Sequence, residues 1–283
     1  MTNLKINILI LNWNNRDILL DCIQSIKKSI YSNYKITVID NGSSDDSIAY
    51  VSKHCDKLDF VKIKSNLGYS RGYNYAFKKL ENDDSDWFLI LNNDTRIMEN
   101  TLSEFVEAVK FKGDNFIYGC KIINVNNKKI WYAGGKFNFI NGGVSHRGIN
   151  LSDEITSYKS GLTDFVSGCC MFIKKDLLYD LNGFNEKYNF YYEDVDLCFR
   201  AKDKNIRCYY LEDTSIMHYV SYSLGGRTSL KKMMRKFSSF IKFIFFNNNI
   251  FIFIYYLIIN IIFSPLYIFN YLMKLLLGYY GKK

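Results

Sequence analysis

The sequence predicts an α/β fold with a mostly parallel central sheet flanked by helices, a doubly wound arrangement. Short apolar segments that end abruptly in polar residues recur at 5–11, 35–39, 60–63 and 87–91. Between the first two, Ile18, Cys22 and Ile26 recur at helical spacing. Strands that alternate with helices form parallel sheets, because each helix returns the chain to the edge from which the next strand starts.

Polar side chains follow each of these four strands. The segments are Asn12-Trp13-Asn14-Asn15, Asp40-Asn41-Gly42-Ser43, Asn66-Leu67-Gly68-Tyr69 and Asn92-Asn93-Asp94. In open α/β sheets, ligands bind beyond the carboxyl ends of the strands. The sequence therefore predicts that Asn12, Asp40, Asn66 and Asp94 share one edge, where a nucleotide would bind.

Asp94 is the candidate metal ligand. It follows the buried strand 87–91, and Mg²⁺ or Mn²⁺ bound to a diphosphate takes only one or two protein carboxylates. The alternative is a strand that ends in an ordinary Asx turn.

Gly68 and Gly72 lie in a turn that opens a helix. They are four residues apart without a third glycine, and they follow the third strand rather than the first, so the turn is not a dinucleotide fingerprint. The helix N-terminus with Arg71 nearby would still suit a phosphate or a sugar hydroxyl.

Residues 96–180 carry fewer signals. Leu102, Phe105, Val106 and Val109 predict an amphipathic helix, and 117–123 and 164–173 predict strands. The glycine-rich segment 131–146 predicts a hairpin or a mobile loop over the site. The following His146-Arg147-Gly148 would contact the diphosphate or the acceptor, or belong to a solvated loop.

Glu193, Asp194 and Asp196 follow the aromatic segment 190–192. Aromatic surroundings exclude water and raise the pKa of a carboxyl group, which suits a general base working near neutral pH. The alternative is a helix start, because acidic residues in a first turn favour the helix dipole.

The order of these motifs resembles glycosyltransferase family 2, in particular the rhamnosyltransferase-like branch that builds bacterial surface polysaccharides. The resemblance covers roughly residues 4–223 and includes four further segments: 166–171 (Val-Ser-Gly-Cys-Cys-Met), 183–186 (Gly-Phe-Asn-Glu), 192–196 (Tyr-Glu-Asp-Val-Asp) and His218.

The resemblance implies a Rossmann-like GT-A fold, a nucleoside-diphosphate sugar donor, Mn²⁺ or Mg²⁺, and inversion at the anomeric carbon. It also implies that Asp40 contacts the base or ribose, that Asp94 binds the metal, and that His218 helps to hold the metal and diphosphate. Asp194 would be the general base, with Glu193 as the alternative. The chain departs from the family pattern at Asn92, where the longer metal motif has an acid.

The predicted donor-binding set consists of the polar and glycine residues of the strand-end motifs: Asn12, Asn14, Asp40, Asn41, Asn66, Gly68, Arg71, Gly72, Asn74, Asn92 and Asn93. The predicted domains are a GT-A domain over 1–223, with a nucleotide-sugar half (1–95) and an acceptor half (96–223), and a tail over 224–283.

The net charge of +9 lies entirely in this tail, which contains nine Lys or Arg and no acid. Arg227, Lys231, Lys232, Arg235, Lys236 and Lys242 precede an uncharged, mostly apolar stretch over 243–273. Cations beside apolar residues indicate a membrane surface rather than nucleic acid. Asn247-Asn248-Asn249 and Pro265 interrupt the stretch, which favours interfacial or re-entrant helices kinked near Pro265 over a single span.

The alternative for the tail is a buried helix pair or an oligomer interface. The seven cysteines show no Cys-x-x-Cys spacing, which argues against a structural zinc site. No signal peptide precedes the first strand, so we expect the catalytic part at the cytoplasmic face of the cell membrane, acting on a saccharide or lipid-linked saccharide acceptor.

Two other functions stay open at this point. One is a nucleotidyltransferase acting on sugar phosphates, which the acidic pair at 193–194 fits less well. The other is a catalytically silent, membrane-tethered sugar-binding protein, against which the presence of Asp40, Asp94, Asp194 and His218 argues. A processive synthase is disfavoured because no Gln-x-x-Arg-Trp motif follows the acidic pair.

Overall fold

The computed structural model describes residues 3–154, 157–188, 190–219 and 230–276, with side chains described over 233–265 in the last range. The strands are β1 Ile6–Asn12, β2 Tyr34–Asn41, β3 Leu58–Ile63, β4 Trp87–Asn92, β5 Thr95–Ile97, β6 Phe116–Asn124, β7 Ile130–Tyr132, β8 Gly135–Phe137, β9 Val144–His146, β10 Gly161–Thr163, β11 Cys170–Lys174 and β12 Arg207–His218. The helices are α1 Arg16–Lys27, α2 Ser47–His54, α3 Tyr69–Lys79, α4 Thr101–Lys112, α5 Lys175–Asp180, α6 Glu193–Asp203, α7 Leu230–Phe246 and α8 Ile250–Leu276.

Ten of the described strands form one large sheet in the order β10-β12-β6-β11-β4-β1-β2-β3, with β5 paired to β12 and β7 to β6. Strands β3, β2, β1 and β4 are parallel, and Asn12 lies opposite Asp40 in the register of β1 and β2. The predicted doubly wound half is therefore confirmed. Strands β1 and β4, at the centre of this half, are buried along nearly their whole length, as is typical of parallel strands covered on both faces.

The second half of the sheet is mixed rather than parallel. Strand β11 is inserted antiparallel between β4 and β6, whereas β12 runs parallel to β6. The prediction of a strand over 164–173 was wrong in its first part, because β11 begins only at Cys170. The preceding residues form an irregular turn whose backbone serves the acidic pair described below.

The glycine-rich segment contains a short hairpin, β8–β9, in which Gly135 pairs with His146. Of the two predicted alternatives, a hairpin and a mobile loop, the structure shows the hairpin. Its residue Phe137 packs edge-on against Phe199 of α6 and Phe243 of α7, with ring centroids 5.1 and 6.2 Å apart. The hairpin is therefore joined to the helix that carries the acidic pair.

The predicted tail helices are present as α7 and α8. One face of α7 packs on the main domain through buried Phe240, Phe243 and Ile244, while Met234 and Phe237 on the same helix are 63% and 61% exposed. Within the described residues, no helix combines the length and apolarity needed to cross a membrane. The predicted charge cluster at Arg227, Lys231 and Lys232 lies outside the described side chains.

Candidate active site

The carboxyl ends of β1 and β2 form the first wall of the candidate site. Asn12 is fully buried, where its Nδ2 donates to Ser47 Oγ (3.1 Å) and its Oδ1 accepts from Asn93 Nδ2 (2.8 Å). The side chain of Asn12 therefore joins three strand-end segments. Asp40 lies beside it at the rim and is half-buried, with Oδ1 accepting the Ser43 N–H at 3.0 Å.

The turn after β1 is tied to the turn after β2 through Asn14. Its Oδ1 accepts the Ser44 N–H (2.9 Å), and its own N–H donates to Ser43 Oγ (2.9 Å). Asn14 and Asn15 both have positive φ, at 61° and 64°, a conformation that asparagine tolerates better than most residues. This arrangement turns the chain sharply so that Asp40 stays accessible at the strand ends.

Asn41 and Asn66 hold the turn that leads into α3. Asn41 Nδ2 donates to Asn66 Oδ1 and to the Gly68 carbonyl, both at 3.1 Å. A Cβ at Gly72 would lie 2.8 Å from Leu11 Cδ1, so this glycine lets α3 pack closely on the sheet. Asn66 is exposed at the rim, whereas Asn41 and Gly72 are buried behind it.

Two of the predicted donor-binding residues face other parts of the protein. Asn74 Nδ2 donates to the Phe184 carbonyl (2.7 Å), and its Oδ1 accepts the Phe184 N–H (2.9 Å). This amide is therefore engaged in joining α3 to the segment before α6. Arg71 is exposed, with its Nε 3.7 Å from Glu186 Oε2.

Asp94 and His218 meet at the end of β12, although 124 residues separate them in the chain. The antiparallel pairing of β5 with β12 places His218 opposite Thr95. Asp94 Oδ1 lies 3.2 Å from His218 Nε2, and both residues are buried. Nevertheless Asp94 Oδ1 and His218 Nδ1 have no hydrogen-bond partner among the described residues.

This pair fits the divalent metal that the GT-A fold implies. Two adjacent ligands of an octahedral ion with bonds of about 2.1 Å lie about 3 Å apart, which matches the separation of the carboxylate oxygen and the imidazole nitrogen. The described residues contain no cluster of three or more acidic, cysteine or histidine ligands. Mg²⁺ and Mn²⁺ commonly complete such a site with phosphates and water.

Trp131 and His146 extend this wall beyond His218. The ring centroid of Trp131 lies 4.9 Å from that of His218 and 4.5 Å from that of His146. Burial lowers the pKa of His146 to about 4, and the positive charge of Lys236 on α7 acts in the same direction. His146 is therefore neutral at physiological pH.

The acidic pair begins helix α6, so the alternative of a helix start is also correct. Asp194 Oδ2 accepts the Gly168 N–H (2.8 Å), and its Oδ1 accepts the Val195 N–H (2.9 Å). Glu193 is only 8% exposed, and its Oε2 has no hydrogen-bond partner among the described residues. Asp194 is the more exposed of the two.

These surroundings give the two carboxyl groups different protonation states. Burial, followed by repulsion from Asp194, raises the pKa of Glu193 to about 8. Burial also raises the pKa of Asp194, but its two backbone N–H donors oppose the shift by stabilising the carboxylate. Of the two carboxyl groups, Glu193 is therefore the one that the structure favours as protonated at neutral pH.

Cys169 lies between the two acidic sites. Burial raises the pKa of its thiol, and the charges of Asp94 and of Asp194 both add to that effect. Its carbonyl accepts the Asn92 N–H at 3.1 Å, at the end of β4. The Asp94–His218 pair and the acidic pair consequently lie close together, on either side of this residue, and the region between them is called the cleft below.

The backbone around the acidic pair is strained. Tyr191 and Tyr192, directly before α6, have φ of 71° and 69°, and aromatic residues adopt such values rarely. A Cβ at Gly168 would meet Tyr69 Oη at 2.7 Å and Asp194 Cβ at 3.3 Å. The glycine therefore lets its N–H approach the carboxylate closely.

Asp196, the third acid of the motif, has a structural position. Its Oδ2 accepts from Arg200 Nε (2.7 Å), and its Oδ1 accepts from Tyr188 Oη (3.1 Å) and Asn247 Nδ2 (3.2 Å). The carboxylate thus joins α6 to the turn between α7 and α8. Its side chain is 2% exposed.

Sequence reasoning missed Gly168, Tyr69 and Trp131 as residues of the cleft. Gly168 lies in the motif at 166–171, where glycine, which has no Cβ, is the one signal of a close backbone approach. Tyr69 donates its hydroxyl to the Gly168 carbonyl at 2.7 Å. Trp131 had no local signal, because only folding brings it to His218.

The family model for glycosyl transferase family 2 matches residues 7–181, more than half of the chain. The rhamnosyltransferase WbbL of Escherichia coli K12 is 26% identical over 213 residues, which cover 72% of this chain and 78% of that protein. The N-acetylglucosaminyl-diphospho-decaprenol L-rhamnosyltransferase of Mycobacterium tuberculosis H37Rv is 21% identical over 209 residues, covering 67% and 68% respectively.

Two solved structures show the same fold at low identity. GalNAc-T7, crystallised with UDP, GalNAc and Mn²⁺, superposes with a TM-score of 0.63 at 13% identity, over 76% of this chain and 44% of that one. The mannosyltransferase PcManGT of Pyrobaculum calidifontis, in complex with GDP-Man and Mn²⁺, gives a TM-score of 0.59 at 14% identity, over 85% and 63%. This chain thus spans less than half of the first and under two thirds of the second.

The fold and the cleft define a glycosyltransferase of the GT-A type. The chain belongs to glycosyltransferase family 2, and its similarity to two rhamnosyltransferases confirms the branch that its motifs resemble. The family match ends before α6 and therefore leaves the roles of Glu193, Asp194 and His218 as predictions.

Proposed function

We propose that the chain is an inverting transferase that moves a sugar from a nucleoside-diphosphate donor, of the dTDP-rhamnose or UDP-hexose type, to a saccharide or lipid-linked saccharide acceptor. The observation that carries this proposal is the Asp194 carboxyl group, held by two backbone N–H groups, in the cleft that also contains the Asp94–His218 pair. Related proteins in the same branch are named as rhamnosyltransferases.

Asp194 performs the proton transfer in this mechanism. The acceptor hydroxyl donates a hydrogen bond to the Asp194 carboxylate while its oxygen attacks the anomeric carbon from the side opposite the diphosphate. The new carbon–oxygen bond forms as the bond to the diphosphate oxygen breaks, and the hydroxyl proton passes to Asp194. Attack from the opposite side inverts the configuration at that carbon.

The remaining residues bind and position the donor. Asp40 at the rim would accept hydrogen bonds from the base or ribose, and Asn66 and Asn93 lie at the same edge. Asp94 and His218 would hold Mn²⁺ or Mg²⁺, which, when bound, offsets negative charge on the diphosphate. Holding donor and acceptor together converts a bimolecular reaction into a positioned one.

The second part of the proposal concerns the membrane. Helix α7 packs directly on the segment before the acidic pair, where Ser239 Oγ donates to the Phe190 carbonyl (2.7 Å) and the Phe243 ring lies 5.2 Å from that of Tyr192. Its outer face and α8 expose large apolar side chains, including Phe251 at 80%. An apolar surface beside cations suits an anionic membrane, and it would bring a lipid-linked acceptor close to Asp194.

The transfer proposal is tested by measuring release of nucleoside diphosphate from dTDP-rhamnose, UDP-hexoses and GDP-mannose, with Mn²⁺, Mg²⁺ or EDTA and a membrane lipid extract as acceptor. We expect one donor to react and Asp194→Asn to lose about 10²–10⁴-fold in rate while keeping donor binding. Asp203→Asn is the matched control, because Asp203 is an exposed acid without an ion-pair partner on the same helix. Near-normal turnover of Asp194→Asn would refute the assigned base.

The membrane proposal is tested by flotation of the full chain with phosphatidylcholine vesicles that contain or lack phosphatidylglycerol. We expect binding that needs the anionic lipid and that Met234→Gln/Phe237→Gln reduces. The control is Phe111→Gln, which removes an apolar side chain that is 81% exposed on α4. Equal flotation of the two variants would contradict the proposed surface.

The two alternative functions are separated by the same assay, extended with a nucleoside triphosphate and a sugar phosphate. A silent sugar-binding protein would bind a donor without releasing its diphosphate, and a nucleotidyltransferase would release pyrophosphate from a nucleoside triphosphate. Membership of glycosyltransferase family 2 argues against the second alternative.

A further inference from the structure

A second cavity, of about 380 Å³, lies outside the cleft. It is bounded by the β8–β9 hairpin, β10, the second half of α6 and the start of β12, and it contains none of the predicted catalytic, donor-binding or metal-binding residues. Strand β12 begins at this cavity with Arg207 and ends at the cleft with His218. The two sites are therefore at opposite ends of one strand.

The side chain of Arg147 lines this cavity and lacks an anionic partner. Its Nε and Nη2 atoms are buried, and neither has a hydrogen-bond partner among the described residues. The guanidinium lies 5.3 Å from the Tyr210 ring centroid and 5.8 Å from that of Tyr158. Burying a cation without a partner is costly, and a planar guanidinium presents its donors in a fork that matches an oxyanion.

Three further cations, Lys136, Lys202 and Arg207, line the same cavity. In the described part of the chain, no carboxylate forms an ion pair with any of the four cationic side chains. Asp164 is the acid that lines the cavity, and its Oδ2 already accepts the Phe137 N–H at 2.8 Å. The cavity is thus positively charged, which raises the local concentration of anions.

The remaining walls are largely apolar, with Leu162 and Ile206 among them. The volume falls within the range of small-molecule ligand sites and leaves room for a body beyond the charged group. We propose that this pocket binds a small anionic ligand, a phosphate or carboxylate group carried on a body about the size of a monosaccharide.

The pocket is independent of the transfer reaction proposed above, since its residues lie outside the cleft. The sequence placed His146 and Arg147 together as candidates for the diphosphate or the acceptor. The structure separates them, because successive residues of an extended strand point to opposite faces. His146 packs edge-on against Trp131 in the cleft, whereas Arg147 faces the second cavity.

The test is calorimetric titration of the full chain with glucose 1-phosphate, glucuronate, inorganic phosphate and neutral glucose. We expect saturable binding of the phosphate-bearing or the carboxylate-bearing sugar, which identifies the charged group, and none of glucose. Arg147→Gln should weaken that binding at least about tenfold, because it removes a charged hydrogen-bond donor. Lys202→Gln/Arg207→Gln should also weaken it and changes only exposed side chains.

Two controls locate the bound probe. Lys28→Gln/Lys53→Gln removes the same charge from exposed positions elsewhere, and we expect it to bind the probe as the parent does. Asp94→Asn alters the cleft and should leave the binding unchanged. The proposal is overturned if no charged probe binds, if the pocket variants bind as well as the parent, if the lysine control loses binding equally, or if Asp94→Asn abolishes it. Should Arg147→Gln fail to fold, the Lys202→Gln/Arg207→Gln variant decides.

Discussion

Replacing Glu193 with glutamine should make the protein less sensitive to alkaline pH. The pKa of this carboxyl group rises from 4.5 to about 8 on folding, because the group is buried and lies beside Asp194. Below its pKa in the unfolded state, such a carboxyl group is protonated in both states and leaves the free energy of unfolding unchanged. As the pH rises from that value through the higher pKa of the folded state, the group progressively lowers the free energy of unfolding. Glutamine resembles the protonated acid in shape and does not titrate.

The size of the effect follows from these two pKa values. Between pH 6 and pH 9, linkage gives a loss on the order of 2–3 kcal/mol in the free energy of unfolding of the parent that Glu193→Gln does not suffer. Below pH 4 the two proteins should differ little in pH dependence. The divergence is expected to accumulate between about pH 4.5 and pH 8, where the unfolded carboxyl group is ionised and the folded one is still protonated.

The assay is urea unfolding at pH 6, 7, 8 and 9, followed by tryptophan fluorescence, with the difference between parent and variant taken at each pH. Subtracting the two free energies of unfolding removes the contributions of groups that titrate identically in both proteins. Glu99→Gln serves as the control, since Glu99 is exposed and should leave the pH profile unchanged. Parallel profiles for parent and Glu193→Gln would refute the neutral, buried state of Glu193. Retained sugar transfer in this variant at pH 7 would further favour Asp194 as the base.

Three other changes test the cleft. Gly168→Ala should lower the transfer rate more than donor affinity, because its Cβ would press on Tyr69 Oη and on Asp194; equal losses in kcat and in donor binding would contradict this role. His218→Gln should raise the Mn²⁺ concentration needed for half-maximal activity, measured by metal titration, and an unchanged requirement would remove this histidine from the metal site. Asp196→Asn should destabilise the fold by about 3–5 kcal/mol in urea unfolding, because Arg200 loses its partly buried partner, whereas the exposed Asp203→Asn should have little effect.

Much of the first half of the chain could be predicted from local pattern. Apolar strands that end in Asn12, Asp40 and Asn92 fix both the type of element and the edge at which polar groups gather, because parallel strands present their carboxyl ends together. The helix of 101–112 and the start of α6 at Glu193 follow from periodicity and from acids in the first turn. These signals lie within a few residues of the features that they specify.

The structure of the second half of the chain could not be predicted from local sequence patterns. Strand β11 lies antiparallel between two strands that come much earlier in the chain, and no local pattern encodes a neighbour that distant. The predicted start of β11 was too early because Ser167 and Gly168 lie within a mostly apolar segment that is typical of a strand. In the structure these two residues belong to the turn that supports Asp194. Asn74 matched a donor-binding motif, yet its amide is engaged with the backbone of Phe184.

The sequence by itself determined the family, the strand-end acids and the concentration of positive charge in the tail, because each depends on residues that are adjacent or regularly spaced. The tertiary structure alone decided that burial raises the pKa of Glu193 to about 8 beside Asp194, that Asp94 meets His218, and that Arg147 faces a second cavity. Each of these depends on burial and on partners from distant strands. Desolvation and hydrogen bonding set the charge states of side chains, and both are properties of the packed chain rather than of the order of its residues.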